Sequence, residues 1–261
     1  MKRYDLLPFY EELVKIRDRH VGKFGDISLA SYLAGEDYFK KDAPKLLVIG
    51  RALNGWPKAF SQLDAYSTLD SWENHEKYGS RMPGRSIWDT ETKKYTEAPS
   101  GVCRALGWVT NTYIASEGKK RATVTARVPF WRAARRAYAT VSGIAYEDAE
   151  AFYRHIAWTN LFKACPQSGG NPRGELWYDQ IDICRDILKR EIEILEPTHV
   201  LVVALTNTDN KERESEWVVP FDGVFSGLKK TKTVYIHRPE LRKASSVALE
   251  ISQLCQTGKS Q

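Results

Sequence analysis

Four short apolar runs, set among stretches of helical periodicity, constrain this chain more than any other feature. They are Lys45–Gly50, Ile156–Phe162, His199–Leu205 and Thr233–His237. Each has the length of a strand, and three are apolar on successive residues rather than on alternate ones. That pattern belongs to strands covered on both faces, as in a parallel sheet. Between them the apolar spacing changes to three and four. Leu6, Leu7, Tyr10, Leu13, Val14 and Arg17 share one face of a first helix. Trp131, Ala134 and Tyr138 share a face of another, which begins at Phe130. A short helix is expected over Tyr146–His155. A longer one is expected over about 178–195, with Ile181, Cys184, Leu188, Ile192 and Leu195 on its buried side and Pro197 as its stop. A last helix is expected over about 239–255. Strand and helix in alternation predict an α/β fold with a mostly parallel sheet. Residues 51 to about 127 carry no sustained period and read as irregular. With no internal repeat and no linker, the chain reads as one domain with a long insertion at about 56–127.

Composition sets limits on function. The 261 residues are 42% hydrophobic and 28% charged, which excludes a disordered or fibrous chain. A net charge of +6 permits a phosphate-rich partner without requiring one. Four cysteines without a C-x-x-C pair are too few for a disulfide scaffold, so a reducing cytoplasm is the expected setting. No uncharged apolar run approaches the roughly 18 residues of a membrane span. There is no Gly-x-Gly-x-x-Gly, no Walker loop and no His/Cys/Asp group at zinc spacing, so no metal is expected.

Ligands of open α/β sheets bind beyond the carboxyl ends of the strands. The residues there are Gly50-Arg51-Ala52-Leu53-Asn54-Gly55, then Thr159-Asn160, then Thr206-Asn207, then His237-Arg238-Pro239-Glu240. They offer amides and one histidine. An Asn can position a water and stabilise charge, but it is no general base at neutral pH.

The block Trp158-Thr159-Asn160-Leu161-Phe162-Lys163-Ala164-Cys165-Pro166, the turn Asn171-Pro172-Arg173, and the helix carrying Cys184 and ending before Pro197 resemble the uracil-DNA glycosylase superfamily, in particular its bacterial fourth-family-like branch. Gly50 and His237 fall where that superfamily keeps its two named motifs. The resemblance implies a three-layer α/β/α sandwich around a four-stranded, mostly parallel sheet. It implies a monomeric cytoplasmic hydrolase acting on single- or double-stranded DNA, which flips out uracil or a related damaged base and cleaves its N-glycosidic bond. Asn160 matches the residue that reads the base: an amide offers an acceptor to uracil N3–H and a donor to O4. His237 matches the histidine that donates to O2 as charge gathers on the departing base. Phe130 is the candidate for the ring that stacks on the base, with Trp131 and Trp88 as alternatives. Asn54 is the candidate for orienting the water. Arg132, Arg135 and Arg136 form a face for phosphates, and Arg238 stands where the family loop nears the minor groove. The chain departs from the family in the first motif, where Arg51 replaces a Glu, and in the second, where Arg238 and Glu240 flank Pro239. Cys165 and Cys184 match two of the four cysteines of the family's iron–sulfur cluster, but residues 1–50 contain no cysteine, so no cluster and no cofactor are expected. Base excision therefore stands beside a second class of function, a catalytically inactive nucleic-acid-binding member of the same fold.

Overall fold

A computed structural model describes residues 2–41, 44–52, 62–73, 86–89, 94–97, 113–114, 123–124, 128–167, 171–205, 216–228, 230–237, 239 and 244–254. After a 3-10 turn, helix α1 spans Leu7–Phe24, with Pro8 in its first turn. Its buried side is Tyr10, Leu13, Ile16, Arg17 and His20, the expected helical stripe extended by one turn. It ends at Gly25, whose φ of 72° suits a residue without a Cβ. Short strands β1 (Ile27–Leu29) and β2 (Leu33–Ala34) follow, then β3 (Leu46–Gly50), buried along its whole length.

The stretch expected to be irregular holds helix α2 (Ala65–Glu73) and two small antiparallel ladders. One pairs β4 (Ser86–Asp89) with β5 (Lys94–Glu97), and the other pairs β6 (Tyr113–Ile114) with β7 (Thr123–Val124). Helix α3 (Pro129–Ser142) and helix α4 (Ala149–His155) lead into β8 (Ile156–Asn160) and β9 (Ala164–Pro166). The long helix expected over 178–195 is two pieces, α5 (Glu175–Asp179) and α6 (Ile181–Leu195). Gln180 stands between them with its amide turned inward. It accepts from the Ala164 backbone N–H at 2.9 Å and donates to the Ala164 carbonyl at 2.9 Å, taking the place of a ladder partner for β9. Strand β10 (His199–Leu205), helix α7 (Asp222–Ser226), strand β11 (Lys232–His237) and helix α8 (Ala244–Ser252) complete the described chain.

The main sheet has five strands in the order β11-β10-β3-β8-β2. The first four are parallel, and they are the four apolar runs seen in the sequence. The expected count of four is corrected by β2, which pairs antiparallel along the outer edge of β8, Leu33 opposite Trp158. Two residues are too few to show a period, so this strand had no sequence signal. Alternate residues of the central strands enter two separate cores. Leu47, Ile49, Val200 and Val202 pack with Leu13 of α1 and with Ile187 and Leu188 of α6. Leu46, Val48, Leu201 and Val203 pack with Ala134 and Tyr138 of α3 and with Val247 and Ile251 of α8. Among the described residues no helix is long and apolar enough to cross a membrane.

Candidate functional site

From β3 the chain proceeds to β8 on one side, and from β10 to β11 on the other. The sheet therefore changes direction between β3 and β10, and the crevice beyond their carboxyl ends is where such sheets take ligands. The register brings Gly50 opposite Asn160, and Leu205 opposite His237. Beyond Asn160 the backbone stays tied to the β3 tip. Leu161 N–H donates to Gly50 O at 2.8 Å and Phe162 N–H to Arg51 O at 2.9 Å. Phe162 then anchors the turn in an aromatic group with Trp177, Trp217 and Phe221.

The pleat sends consecutive side chains of β8 to opposite sides. Thr159 turns toward α6, where its hydroxyl donates to Glu191 at 2.7 Å. Asn160 turns toward the start of α3. Its carboxamide is 2% exposed, and its Nδ2 finds no hydrogen-bond partner among the described residues. A Cβ built on Gly50 would stand 2.6 Å from Asn160 Oδ1, 3.4 Å from Phe130 Cε2 and 3.6 Å from Phe130 Cζ. Gly50, Phe130 and Asn160 thus converge, and only a glycine at position 50 admits both neighbours. We predict that Gly50→Ala lowers stability by about 1–3 kcal/mol, the usual cost of overpacking. Thermal melts check this, and an unchanged midpoint would mean that the contact yields.

Phe130 occupies its place because of the residues before it. Val128 is extended (φ −62°, ψ 129°) and Pro129 begins the helix, so α3 starts abruptly at the sheet edge with Phe130 in its first turn. Phe130 is half-buried and meets Trp131 edge-on at 4.9 Å. Trp131, the alternative, is buried in the core beside Trp158 at 5.5 Å, which leaves it a packing role. The side chain of Trp88 lies outside the described residues.

Arg51, where the resemblance expects a carboxylate, pins the tips of β3 and β10 together. Its Nε donates to Ala204 O at 2.7 Å and its guanidinium lies 5.2 Å over the Trp217 ring. His237 ends β11 beside helix α8. Its Nδ1 lies 3.2 Å from Glu250 Oε1, and its backbone N–H donates to Glu250 Oε2 at 3.3 Å. No short motif links positions 237 and 250, so Glu250 carried no sequence signal. Of the arginine face, Arg132 is exposed, whereas Arg135 and Arg136 lean on the Tyr146 ring at 4.7 and 5.9 Å. Asn54 and Arg238 lie outside the described residues.

Cys165 and Cys184 are buried and reduced. Cys184 packs in the core under α6 and Cys165 in the core under α3, on opposite sides of the sheet. Burial pushes the Cys184 thiol up to about 12, so it stays protonated and hydrogen-bonds Gln180 at 3.3 Å. Among the described residues no group of three or more His, Cys, Asp or Glu could hold a metal ion. No family model matches the chain, and no curated protein matches it either.

Proposed function

We propose that this chain is a DNA base-excision glycosylase, which flips uracil or a related deaminated base out of the strand and hydrolyses its N-glycosidic bond. One observation carries the reading: the Asn160 carboxamide, nearly fully buried, faces Gly50 and Phe130 with an unused donor. A buried amide donor without a partner costs about 1–3 kcal/mol, and a ligand carbonyl is the natural partner for it. The flat face of Phe130 beside it suits a flipped base. His237 ends a strand three positions across the sheet from β8, about 14 Å away by strand spacing. Two side chains and one pyrimidine bridge such a gap, with Asn160 on O4 and N3–H and His237 on O2. In this reading the two cores and the sheet form a three-layer α/β/α sandwich in which the four parallel strands carry the site and β2 is an edge addition. Arg132, exposed near the mouth, would meet DNA phosphates.

The test is strand scission by alkali after incubation with oligonucleotides containing uracil, hypoxanthine, xanthine or an alkylated base, single- and double-stranded. Scission at the modified position above the buffer control is expected for at least uracil. No scission on any substrate would overturn the reading. A second reading has its own observation: Arg51 is engaged with Ala204 and Trp217 where a carboxylate is expected. A non-catalytic nucleic-acid-binding protein would give salt-dependent binding without base loss.

A further inference from the structure

We propose that Glu250 is the positioning residue that makes His237 first the base and then the acid of the reaction. This rests on the base-excision reading above and deepens it. A carboxylate at neutral pH has only acceptors. Glu250 spends both oxygens on residue 237, one on the backbone N–H and one on Nδ1. Nδ1 must therefore carry a proton, and in the neutral ring Nε2 is then a lone pair. The side chains are 26% and 21% exposed, so the pair is partly shielded from water.

The rest of the site needs such a base. Residues 50–57 contain no Asp or Glu, and Arg51 is a cation held by Ala204 and Trp217. In the step we infer, Nε2 of neutral His237 takes a proton from a water molecule as its oxygen bonds to C1′ of the sugar. The C1′–N1 bond breaks and its electron pair leaves with the base. The imidazolium, held by Glu250, now donates from Nε2 to O2 of the uracil anion and gives its proton to the base. Water has been divided between sugar and base, and His237 is neutral again.

The test combines a spectrum and a rate. Long-range proton–nitrogen correlation on the full chain resolves the ring nitrogens of its five histidines, with His237→Gln to assign the signal. The neutral His237 ring is expected with its proton on Nδ1. In Glu250→Gln only one acceptor oxygen remains. When that oxygen takes the backbone N–H, the amide NH2 donates to Nδ1 and the ring proton moves to Nε2. Single-turnover uracil release should then fall about 100-fold, the scale of a lost general base, while the Kd for DNA stays within about twofold. A wild-type chain that releases uracil with its proton on Nε2 would overturn the role of Glu250 alone. So would a Glu250→Gln variant with unchanged release. A wild-type chain that releases no base overturns the base-excision reading and the catalytic step with it, whatever the tautomer. Should Glu250→Gln fail to fold, the wild-type spectrum still decides whether Glu250 holds the proton on Nδ1.

Discussion

Asn160→Ala is expected to cut uracil release by at least about 100-fold, the loss typical of removing one group that holds the charge-bearing end of a transition state, while leaving the protein as stable as before. The second half makes the test specific. A buried asparagine whose amide is bonded into the surrounding structure loses about 1–2 kcal/mol on truncation, because its partners are left unsatisfied. Asn160 has no such partner for Nδ2 among the described residues, so alanine removes a cost along with its packing contacts. The two terms nearly cancel. Urea titration gives the stability, and single-turnover release from a uracil oligonucleotide gives the activity. A destabilised variant would place the carboxamide in a structural role. A stable variant with full activity would take Asn160 out of the site. Only stability kept and activity lost fits a side chain held in readiness for a ligand, a state that evolution tolerates at functional positions and seldom elsewhere.

What could be read in the sequence follows from how each feature is encoded. The four parallel strands are buried on both faces, so their apolar runs are continuous and legible. Helices α1, α3 and α6 bury one long stripe each, and that period is legible as well. Strands β1, β2 and β9 have two or three residues, and backbone pairing holds them rather than a pattern of side chains. The break at Gln180 was hidden because a glutamine inside a helical stretch normally faces water, whereas this one clamps Ala164. The site divides in the same way. Asn160 and His237 could be found as polar residues at the ends of apolar runs. The approach of Phe130 to Gly50, and of Glu250 to His237, depends on how α3 and α8 cross the sheet ends, which no local spacing records. The arginine face shows the limit of periodicity. Spacing groups Arg132, Arg135 and Arg136, but a single tyrosine, Tyr146, draws two of them onto its ring.

The largest loss of stability is expected from Lys163→Met, about 3–5 kcal/mol, because it strands a buried carboxylate. Lys163 and Glu191 are both 0% exposed. The ammonium donates to Glu191 Oε2 at 2.6 Å and to the Thr159 hydroxyl at 2.5 Å, and Thr159 in turn donates to the same carboxylate oxygen. The other oxygen, Oε1, has no partner among the described residues. Without Lys163 the carboxylate would keep one hydroxyl bond and an apolar surrounding that includes Tyr10, whose phenol is already held well above its usual range by burial and by the nearby Glu191 charge. The half-satisfied carboxylate also makes the pair an expensive way to join β8 to α6. Lys163→Met combined with Glu191→Leu should therefore recover most or all of the loss, since an apolar pair of similar volume needs no compensation. A double variant as unstable as the single one would mean that the ion pair contributes net stability, which chemical denaturation measures directly. The two bonds through Thr159 give the arrangement a purpose beyond stability. Residues 159 and 163 bracket Asn160, and fixing both to α6 commits the alternation of β8 so that residue 160 faces Gly50 and Phe130. The recovered double variant is accordingly expected to fold well yet release uracil more slowly than the parent protein, because the bracket that aims the carboxamide is gone.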